Sequence, residues 1–152
     1  MPFDVAPASP DDPDVAALLD RHFALMRSQS PEESCHVLPI DALKSDGITV
    51  FALRDAGQLL AVGAIKLEPE YAELKSMHTS VDARGRGAGA AMVSALLDFA
   101  RDKGVMRVNL ETGSGAEHAS ARRLYERAGF TECPPFGNYV LDPLSAFMTK
   151  TL

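Results

Sequence analysis

The spacing of apolar residues along the 152-residue chain predicts three amphipathic helices. In each of these stretches the apolar side chains recur every three or four positions, as the buried face of an α-helix requires. The predicted helices cover residues 13–28, about 87–103 and 117–128. Gly104 and Gly129 follow the second and third of them, and glycine is the residue that most often ends a helix.

Stretches rich in β-branched and apolar residues predict seven strands around these helices. The predicted strands cover residues 3–6, 47–55, 59–67, 71–81, 105–110, 130–133 and 146–152, and residues 38–43 are predicted to form a short helical turn. The resulting order, β-α-(α)-β-β-β-α-β-α-β-β, is that of an α/β fold. We therefore expect one domain over residues 1–152, in which helices flank a mixed central β-sheet.

Composition and charge exclude several classes of protein. Apolar residues make up 46% of the chain and charged residues 24%, as in soluble globular proteins. The net charge of −6 argues against a nucleic-acid partner, and no apolar run is long enough to span a membrane. The acidic, proline-rich N-terminus is predicted not to be a secretory signal, and Cys35 and Cys133 fit neither a disulfide framework nor a zinc site. We therefore expect a cytoplasmic protein that needs no metal.

The charge is unevenly distributed along the chain. Residues 1–80 carry 13 acidic and 6 basic side chains, whereas residues 81–152 carry 8 acidic and 9 basic ones. The more basic half contains the stretch RGRGAGAA at residues 84–91, directly before a predicted helix. Such a glycine-rich turn presents unhindered N–H groups at the positive end of a helix dipole, an arrangement that binds phosphates. The sequence thus predicts a phosphate-bearing ligand at this loop.

Three types of phosphate-binding loop compete for these glycines. The Walker type requires Gly-Lys-Ser/Thr, but residues 89–91 are Gly-Ala-Ala. The dinucleotide type, G-x-G-x-x-G/A, matches residues 85–90, and Glu111 would then be its ribose-binding acid. A four-residue spacer and a polar strand precede the glycines, however, which disfavours that type. The third pattern, R/Q-x-x-G-x-G/A, matches residues 84–89 and also accounts for Arg84.

Two segments resemble motifs of the GNAT superfamily of acyl-CoA-dependent N-acetyltransferases. YAELKSMHTSVDARGRGAG, residues 71–89, has the strand, spacer and loop of that family, with a glutamate near the start of the strand. ASARRLYERAGF, residues 119–130, is similar to the family's A-x-x-L-Y-E-x-x-G-F segment. The order of elements agrees as well, so the resemblance extends over nearly the whole chain. It is strongest to a group of small bacterial GNAT proteins.

The resemblance implies acetyl-CoA as the cofactor and assigns residues to it. The amides of about residues 86–90 would bind the pyrophosphate of coenzyme A, with Arg84 and Arg86 adding positive charge. The backbone of residues 77–79 would hold the pantetheine arm. His118 stands where many members of the family have asparagine. The implied cofactor-binding residues are Met77, His78, Thr79, Arg84, Gly85, Arg86, Gly87, Ala88, Gly89, Ala90 and His118.

The same resemblance implies acetyl transfer to a primary amine by direct attack in a ternary complex. Glu73 matches the general base and Tyr125 the general acid of the family. A backbone N–H around Met77 or His78 would stabilise the carbonyl oxygen as it gains charge. The strand at residues 105–110 would splay away from its neighbour and leave a slot for the thioester. The implied acceptor is the amine of a small molecule or of a protein or peptide, and the family often forms homodimers.

Several alternatives stay open at this point. The chain could be a non-catalytic acyl-CoA-binding sensor or a dinucleotide-binding protein instead of an enzyme. His78 is either a base or a structural residue of its strand. His36 either lines the acceptor site or belongs to a polar loop.

Overall fold

Seven β-strands form one mixed sheet in the computed structural model, which describes residues 3–152, and three α-helices pack on the two faces of that sheet. Short 3-10 turns lie at Glu32–Ser34, Ile40–Lys44, Val81–Ala83 and Ala116–His118. The fold class and the order of elements predicted from the sequence are confirmed. The main elements are β1 (Phe3–Pro7), α1 (Pro13–Gln29), β2 (Ile48–Asp55), β3 (Gln58–Leu67), β4 (Ala72–Thr79), α2 (Ala88–Asp102), β5 (Arg107–Gly113), α3 (Ala119–Arg127), β6 (Thr131–Glu132) and β7 (Ser145–Thr151).

The strand order across the sheet is β1-β2-β3-β4-β5-β7-β6. All neighbouring strands are antiparallel except β4 and β5. Because β4 and β5 run in parallel, the chain must cross over between them, and α2 forms this crossover. β7 inserts between β5 and β6, so β5 keeps a full-length antiparallel partner on one side.

A separate apolar cluster covers each face of the sheet, because side chains alternate between the two faces of a strand. In β2, Phe51 and Leu53 belong to the cluster that includes α2, whereas Val50 and Ala52 belong to the cluster that includes α1. Most buried residues of α1 and α2 lie on the apolar stripes predicted from the sequence, and in α2 Ala88 and Met92 are buried as well. Burial of these stripes is the main force that holds the helices on the sheet.

The boundaries of the elements differ from the predicted ones mainly around β5. This strand continues three residues beyond its predicted end at Leu110, because residues 111–113 pair with β7. The apolar pattern ends at Leu110 because Glu111 and Thr112 are polar and border a cavity instead of the core. α3 begins at Ala119, two residues later than predicted, because the residues before it form a 3-10 turn.

β4 and β5 separate soon after they begin to pair. Residues 72–74 of β4 pair with residues 108–110 of β5, and the pairing stops there. Further along β4, Ser76 has a φ of +54°, and the register between β3 and β4 shifts around Gly63. These are the marks of a β-bulge, which bends a strand and increases its twist. The predicted splay of the two strands is therefore present, and it opens a cleft at their carboxyl ends.

Gly63 allows the bulged β4 to pack against α2. A Cβ at this position would lie 2.7 Å from Met77 Sδ and 3.0 Å from Met92 Cγ. We expect Gly63→Ala to lower the free energy of unfolding by about 1–3 kcal/mol, since an extra methyl in a filled site displaces its neighbours. Urea denaturation measures this loss. The double variant with Met77→Ala should recover part of this loss in stability. If the effects of the two substitutions on the free energy of unfolding simply add, Met77 is not the side chain that the new methyl displaces.

Candidate active site

A cavity of about 540 Å³ occupies the cleft between β4 and β5. Its main walls are the two strands, the C-terminal half of α1, α3, the glycine-rich loop and residues 34–38. A volume of this size holds a small ligand or the reactive end of a larger one. Arg86 and Ala90 lie outside the wall. The other residues predicted from the sequence all border the cavity, namely Glu73, Met77, His78, Thr79, Arg84, Gly85, Gly87, Ala88, Gly89, His118 and Tyr125.

The glycine-rich loop presents a row of free backbone amides at the start of α2. Gly85 and Gly87 have φ values of +79° and +82°, which an L-residue rarely adopts, so glycine permits this conformation. Within residues 3–152, no protein group accepts a hydrogen bond from the amides of residues 85–90. The first intrahelical bond runs from the Ala91 amide to the Gly87 carbonyl. The loop can therefore donate several hydrogen bonds to an anion at the positive end of α2.

The two arginines of this loop point to different places. Arg84 is exposed and borders the cavity. The guanidinium of Arg86 instead donates a hydrogen bond of 2.5 Å to Asp55 on β2 and lies 5.9 Å from the ring centre of Phe3. Arg86 therefore ties the loop to the sheet, and its guanidinium is engaged outside the cavity wall in this structure. The sequence gives no sign of the Asp55 contact, which joins residues 31 positions apart.

Tyr125 lies on the buried face of α3 and is 5% exposed. Its ring packs edge-on against Phe130, with the ring centres 5.9 Å apart. Burial raises the pKa of its hydroxyl, and the nearby charge of Glu111 raises it further. Among the residues described, none accepts a hydrogen bond from this hydroxyl. Tyr125 thus keeps its proton over the working pH range and is free to donate it to a group in the cavity.

Glu73 is buried and belongs to a cluster that we call the Glu73 cluster, formed by Glu73, Lys75 and Tyr139. The Tyr139 hydroxyl donates a hydrogen bond of 2.5 Å to Glu73 Oε2, and Lys75 Nζ lies 3.0 Å from the same oxygen. Lys75 Nζ also donates to the Tyr139 hydroxyl, at 3.2 Å. Burial and the charge of Glu73 raise the pKa of Tyr139. His36 packs edge-on against Tyr139 and borders the cavity as well.

Glu111 is a second carboxylate at the cavity. It directly follows Leu110, the last residue of β5 that pairs with β4, so it lies where the two strands part. Its side chain is half-buried, and burial raises its pKa from 4.5 to about 7. The sequence pointed to Glu111 only as the ribose-binding acid of a dinucleotide loop. Tyr139 was missed as a site residue, because it reaches Glu73 through a tertiary contact that no local motif marks. Lys75 was missed as well, although it stands two residues from Glu73 on the same strand and therefore on the same face of the sheet.

Comparison with known proteins identifies the family. The model of the acetyltransferase (GNAT) family matches residues 14–130. The chain belongs to the GNAT family. It is 38% identical over 141 residues to YedL, an uncharacterized N-acetyltransferase of Escherichia coli, and the match covers 92% of this chain and 89% of that protein. The resemblance inferred from the two motifs is confirmed, and the chain is an N-acetyltransferase of this family.

Solved structures show the same GNAT fold. A Klebsiella pneumoniae protein provisionally named an acyl-CoA N-acyltransferase superimposes with a TM-score of 0.80 at 28% identity, over 99% of this chain and 97% of that one. A GNAT family acetyltransferase of Elizabethkingia anophelis, solved with acetyl-CoA bound, superimposes with a TM-score of 0.73 at 15% identity, over 99% of both chains. The dinucleotide-binding alternative is thereby replaced by the GNAT assignment.

His118, at the position where many GNAT proteins have asparagine, packs on the backbone of β5. A Cβ at Gly113 would clash with its imidazole ring, so only glycine leaves room for the ring there. The His118 side chain is 12% exposed and borders the cavity. Arg122 donates hydrogen bonds of 2.7 Å and 2.9 Å to the carbonyls of Gly113 and Gly115. These contacts of His118 and Arg122 hold the turn after β5 in place.

His78 is paired with a second histidine, His22 of α1. Their Nδ1 atoms are 3.1 Å apart, and the rings meet edge to face. Such a contact requires one neutral ring to donate and the other to accept. Burial lowers the pKa of His22 to about 3 and also lowers that of His78, so both rings are neutral at pH 7. Because His78 Nε2 is buried as well, we assign His78 a structural role in joining α1 to β4.

The structure also bears on metal binding, on membrane-spanning helices and on the reactivity of the two cysteines. Among residues 3–152, no three potential metal ligands lie close enough together to hold an ion, and no helix is long and apolar enough to cross a membrane. Cys35 borders the cavity, whereas Cys133 lies outside it. Burial raises the pKa of the Cys133 thiol, which disfavours the thiolate that nucleophilic catalysis would need.

The His22–His78 pair should make the stability of this GNAT protein depend on pH. Below the ordinary histidine pKa of about 6.5, the unfolded chain binds protons that the folded chain excludes, so stability falls as the pH falls. From His22 alone we expect a loss of roughly 2–3 kcal/mol in the free energy of unfolding between pH 7 and pH 4.5. Urea denaturation at both pH values measures it.

His22→Leu should reduce this loss, because it removes the titrating group from the apolar face of α1. His36→Asn is the matched control, since it removes a histidine outside the pair and should leave the pH dependence unchanged. An identical pH dependence in the two variants and the original protein would show that the pair does not titrate on unfolding.

Proposed function

We propose that this protein transfers the acetyl group of acetyl-CoA to a primary amine by direct attack in a ternary complex. The observation that carries the proposal is that three features border one cavity: the glycine-rich loop with its free amides at Gly85 and residues 87–89, the unpaired edge of β4 and the buried Tyr125. An anion site, an open strand edge and a proton donor are what binding and cleavage of an acyl-CoA thioester require. The GNAT family assignment supports the same reaction.

The residues present fit coenzyme A along its length. The amides of residues 85–90 have no protein acceptor and would hold the pyrophosphate, with Arg84 adding charge. The edge of β4 from Lys75 to Thr79 faces the cleft without a strand partner and would hold the pantetheine arm through its backbone. Acetyl-CoA, when bound, supplies the thioester carbonyl that the amine attacks. These cofactor assignments remain predictions of the family resemblance.

Tyr125 is proposed to donate its proton toward the departing sulfur. A thiol has a pKa of about 8.5 and a free tyrosine one of about 10. Burial raises the pKa of Tyr125 away from the value of a thiol, so the hydroxyl is protonated when the thioester binds and can donate its proton as the C–S bond breaks. A donor at this point favours C–S cleavage because it stabilises the negative charge that the sulfur gains.

The β-bulge is proposed to supply the donor for the carbonyl oxygen. Ser76, at positive φ, and Met77 have no register partner on β3, whereas His78 pairs with Val62, so the backbone N–H near Met77 is the one displaced from the regular ladder. A fixed N–H aimed at an oxygen that gains negative charge lowers the barrier, because no solvent needs to reorganise around it. The acceptor and the assembly state, including the homodimer expected from the family, remain predictions.

Ligand-induced stabilisation and CoA release test the proposal together. Acetyl-CoA and CoA should raise the melting temperature of the protein, since a ligand that binds only the folded state stabilises it, and NADH should not. A thiol-detection assay over a panel of amines, amino acids and peptides should then find acceptors that release CoA. Stabilisation by NADH but not by CoA, or a lack of CoA release with every amine, would overturn the proposal.

The two loop arginines provide a matched pair for the binding site. Arg84→Ala should weaken CoA binding by about 5- to 10-fold, because it removes a charge beside the phosphates worth about 1 kcal/mol at an exposed position. Arg86→Ala removes a charge of the same sign that is held by Asp55 and should change the dissociation constant by less than about twofold. Calorimetric titration with CoA measures both. Equal losses in the two variants would show that Arg86 also serves the phosphates.

Tyr125→Phe tests the proton donor, because phenylalanine keeps the ring that packs on Phe130 and removes only the hydroxyl. We expect turnover to fall by about 100-fold or more, as for loss of a general acid, with acetyl-CoA affinity nearly unchanged. Tyr71→Phe is the matched control, since Tyr71 lies outside the cavity wall. Unchanged turnover in Tyr125→Phe would make this tyrosine a packing residue only.

A further inference from the structure

Three carboxylates border the cavity, those of Glu73, Glu111 and Glu117, and the acyl-transfer reaction needs a base to remove a proton from the amine. Glu117 is exposed, whereas Glu73 is buried and Glu111 half-buried. Glu73 occupies the position of the family's general base. Glu73 and Glu111 differ in their hydrogen-bond and ion-pair partners. The assignment that follows rests on the proposed function, because it concerns the base for that same transfer.

Glu73 is poorly placed to take up a proton. Its Oε2 already accepts hydrogen bonds from the Tyr139 hydroxyl and from Lys75 Nζ, and its side chain is 8% exposed. The Lys75 side chain is 12% exposed, and Glu73 is the carboxylate with which it forms an ion pair. A proton on either oxygen of Glu73 would remove the charge that balances Lys75. An ammonium left unpaired in such a buried place is strongly destabilising, so Glu73 serves better as the fixed partner of Lys75 than as a base.

Glu111 is free of such a partner. No salt bridge involves it among the residues described, and it lies at the point where β5 leaves β4. The charged and titratable groups that act on it are Glu73 and Lys75 from β4, Tyr125 from α3, and Tyr139 and Asp142 from the loop before β7. Burial raises its pKa to about 7, so it can gain and lose a proton near neutral pH.

We propose that Glu111 is the general base that removes the proton from the acceptor ammonium, and that Glu73 is a positioning residue that holds Lys75 and Tyr139. The location of Glu111 supports this role, because it borders the cavity where β5 leaves β4 and is near enough to Tyr125 for its charge to act on that hydroxyl. A base there and an acid at Tyr125 can act on the two sides of one thioester. The Glu73 cluster then forms a fixed wall of the acceptor site.

The proton transfers balance over the reaction. The acceptor ammonium gives one proton to the Glu111 carboxylate, and its nitrogen lone pair forms the C–N bond to the acetyl carbon. The C–S bond breaks with its electron pair on sulfur, and the sulfur takes the proton of Tyr125. The nitrogen, now part of the amide, releases its second proton, which replaces the one that Tyr125 gave up. Glu111 returns its proton to solvent.

The same charges indicate the class of acceptor. Glu73 and Lys75 neutralise each other, and Tyr139 is neutral, so an ionised Glu111 leaves one unbalanced negative charge on this side of the cavity. One ammonium group matches that charge. We therefore expect an amine that arrives protonated and places its ammonium group beside Glu111.

A carboxyl titration tests the assignment without relying on activity. The full chain is labelled with carbon-13 at its glutamate carboxyl groups, and the Glu111 resonance is identified as the one absent from Glu111→Gln. This resonance should titrate near pH 7. Titration at or below about pH 5, the range of an ordinary glutamate, would overturn the proposal, because such a group is a poor base at neutral pH.

Kinetics with the fastest amine of the panel test the role itself. In the original protein kcat/KM should rise with pH to a plateau above about pH 7, because only ionised Glu111 accepts a proton. Glu111→Gln should lower kcat by about 100-fold or more and abolish this rise. Glu73→Gln should keep the rise and act mainly on the KM for the amine, since it disturbs the wall that positions the acceptor. Glu126→Gln, on the exposed side of α3, is the control and should match the original protein.

The outcomes separate this inference from the proposed function. If Glu73→Gln loses the pH-dependent rise and Glu111→Gln keeps it, Glu73 is the base and the inference is wrong while the function stands. If Glu111→Gln retains full activity, the inference is also wrong. If the original protein releases no CoA with any amine, the proposed function fails, and the carboxyl titration still decides whether Glu111 is poised as a base.

Discussion

The early separation of β4 from β5 is the constraint on which the rest of the site depends. Had the two strands stayed paired, their facing backbone groups would have been used in the ladder, and no cavity would lie between them. The bulge at Ser76 turns β4 away, while β7 continues to pair with β5 on its other edge. For β5, ladder hydrogen bonds are therefore lost only on the edge that faces β4, and the backbone N–H and C=O groups left unpaired between the two strands are available to a ligand.

Polar groups in this cleft are arranged so that buried charge is mostly compensated. Glu73 and Lys75 lie within ion-pair distance, and Tyr139 closes the triangle with both of them. Such a closed group is rigid, because moving any member leaves another unsatisfied. Glu111 stands outside this ion pair, and burial raises its pKa although the charge of Lys75 opposes the rise. The division between a fixed wall and a titrating group follows from which carboxylate forms the ion pair with Lys75.

Sequence reasoning predicted what depends on local pattern and missed what depends on long-range contact. The apolar stripe of α2 and the glycine-rich loop were predicted because each depends on neighbouring residues: the stripe on the helical spacing of apolar side chains, and the loop on glycines that can adopt positive φ. The partners of Glu73 and Arg86 were not found. Tyr139 lies 66 positions from Glu73, and Asp55 lies 31 positions from Arg86, so only the fold brings them together. The same holds for the environment of Glu111, whose burial no motif records.

One physical cause, removal from water, prepares the two proposed proton-transfer groups for opposite roles. Burial disfavours the ionised form of any acid and so raises the pKa of both Glu111 and Tyr125. Because a carboxyl starts near 4.5, the shift brings Glu111 to about 7, where it exchanges protons readily. Because the ordinary pKa of a phenol is near 10, the same upward shift keeps Tyr125 protonated at neutral pH and so available as a proton donor. A single poorly solvated cleft can thus provide both a base and a proton donor without a metal ion to tune either of them.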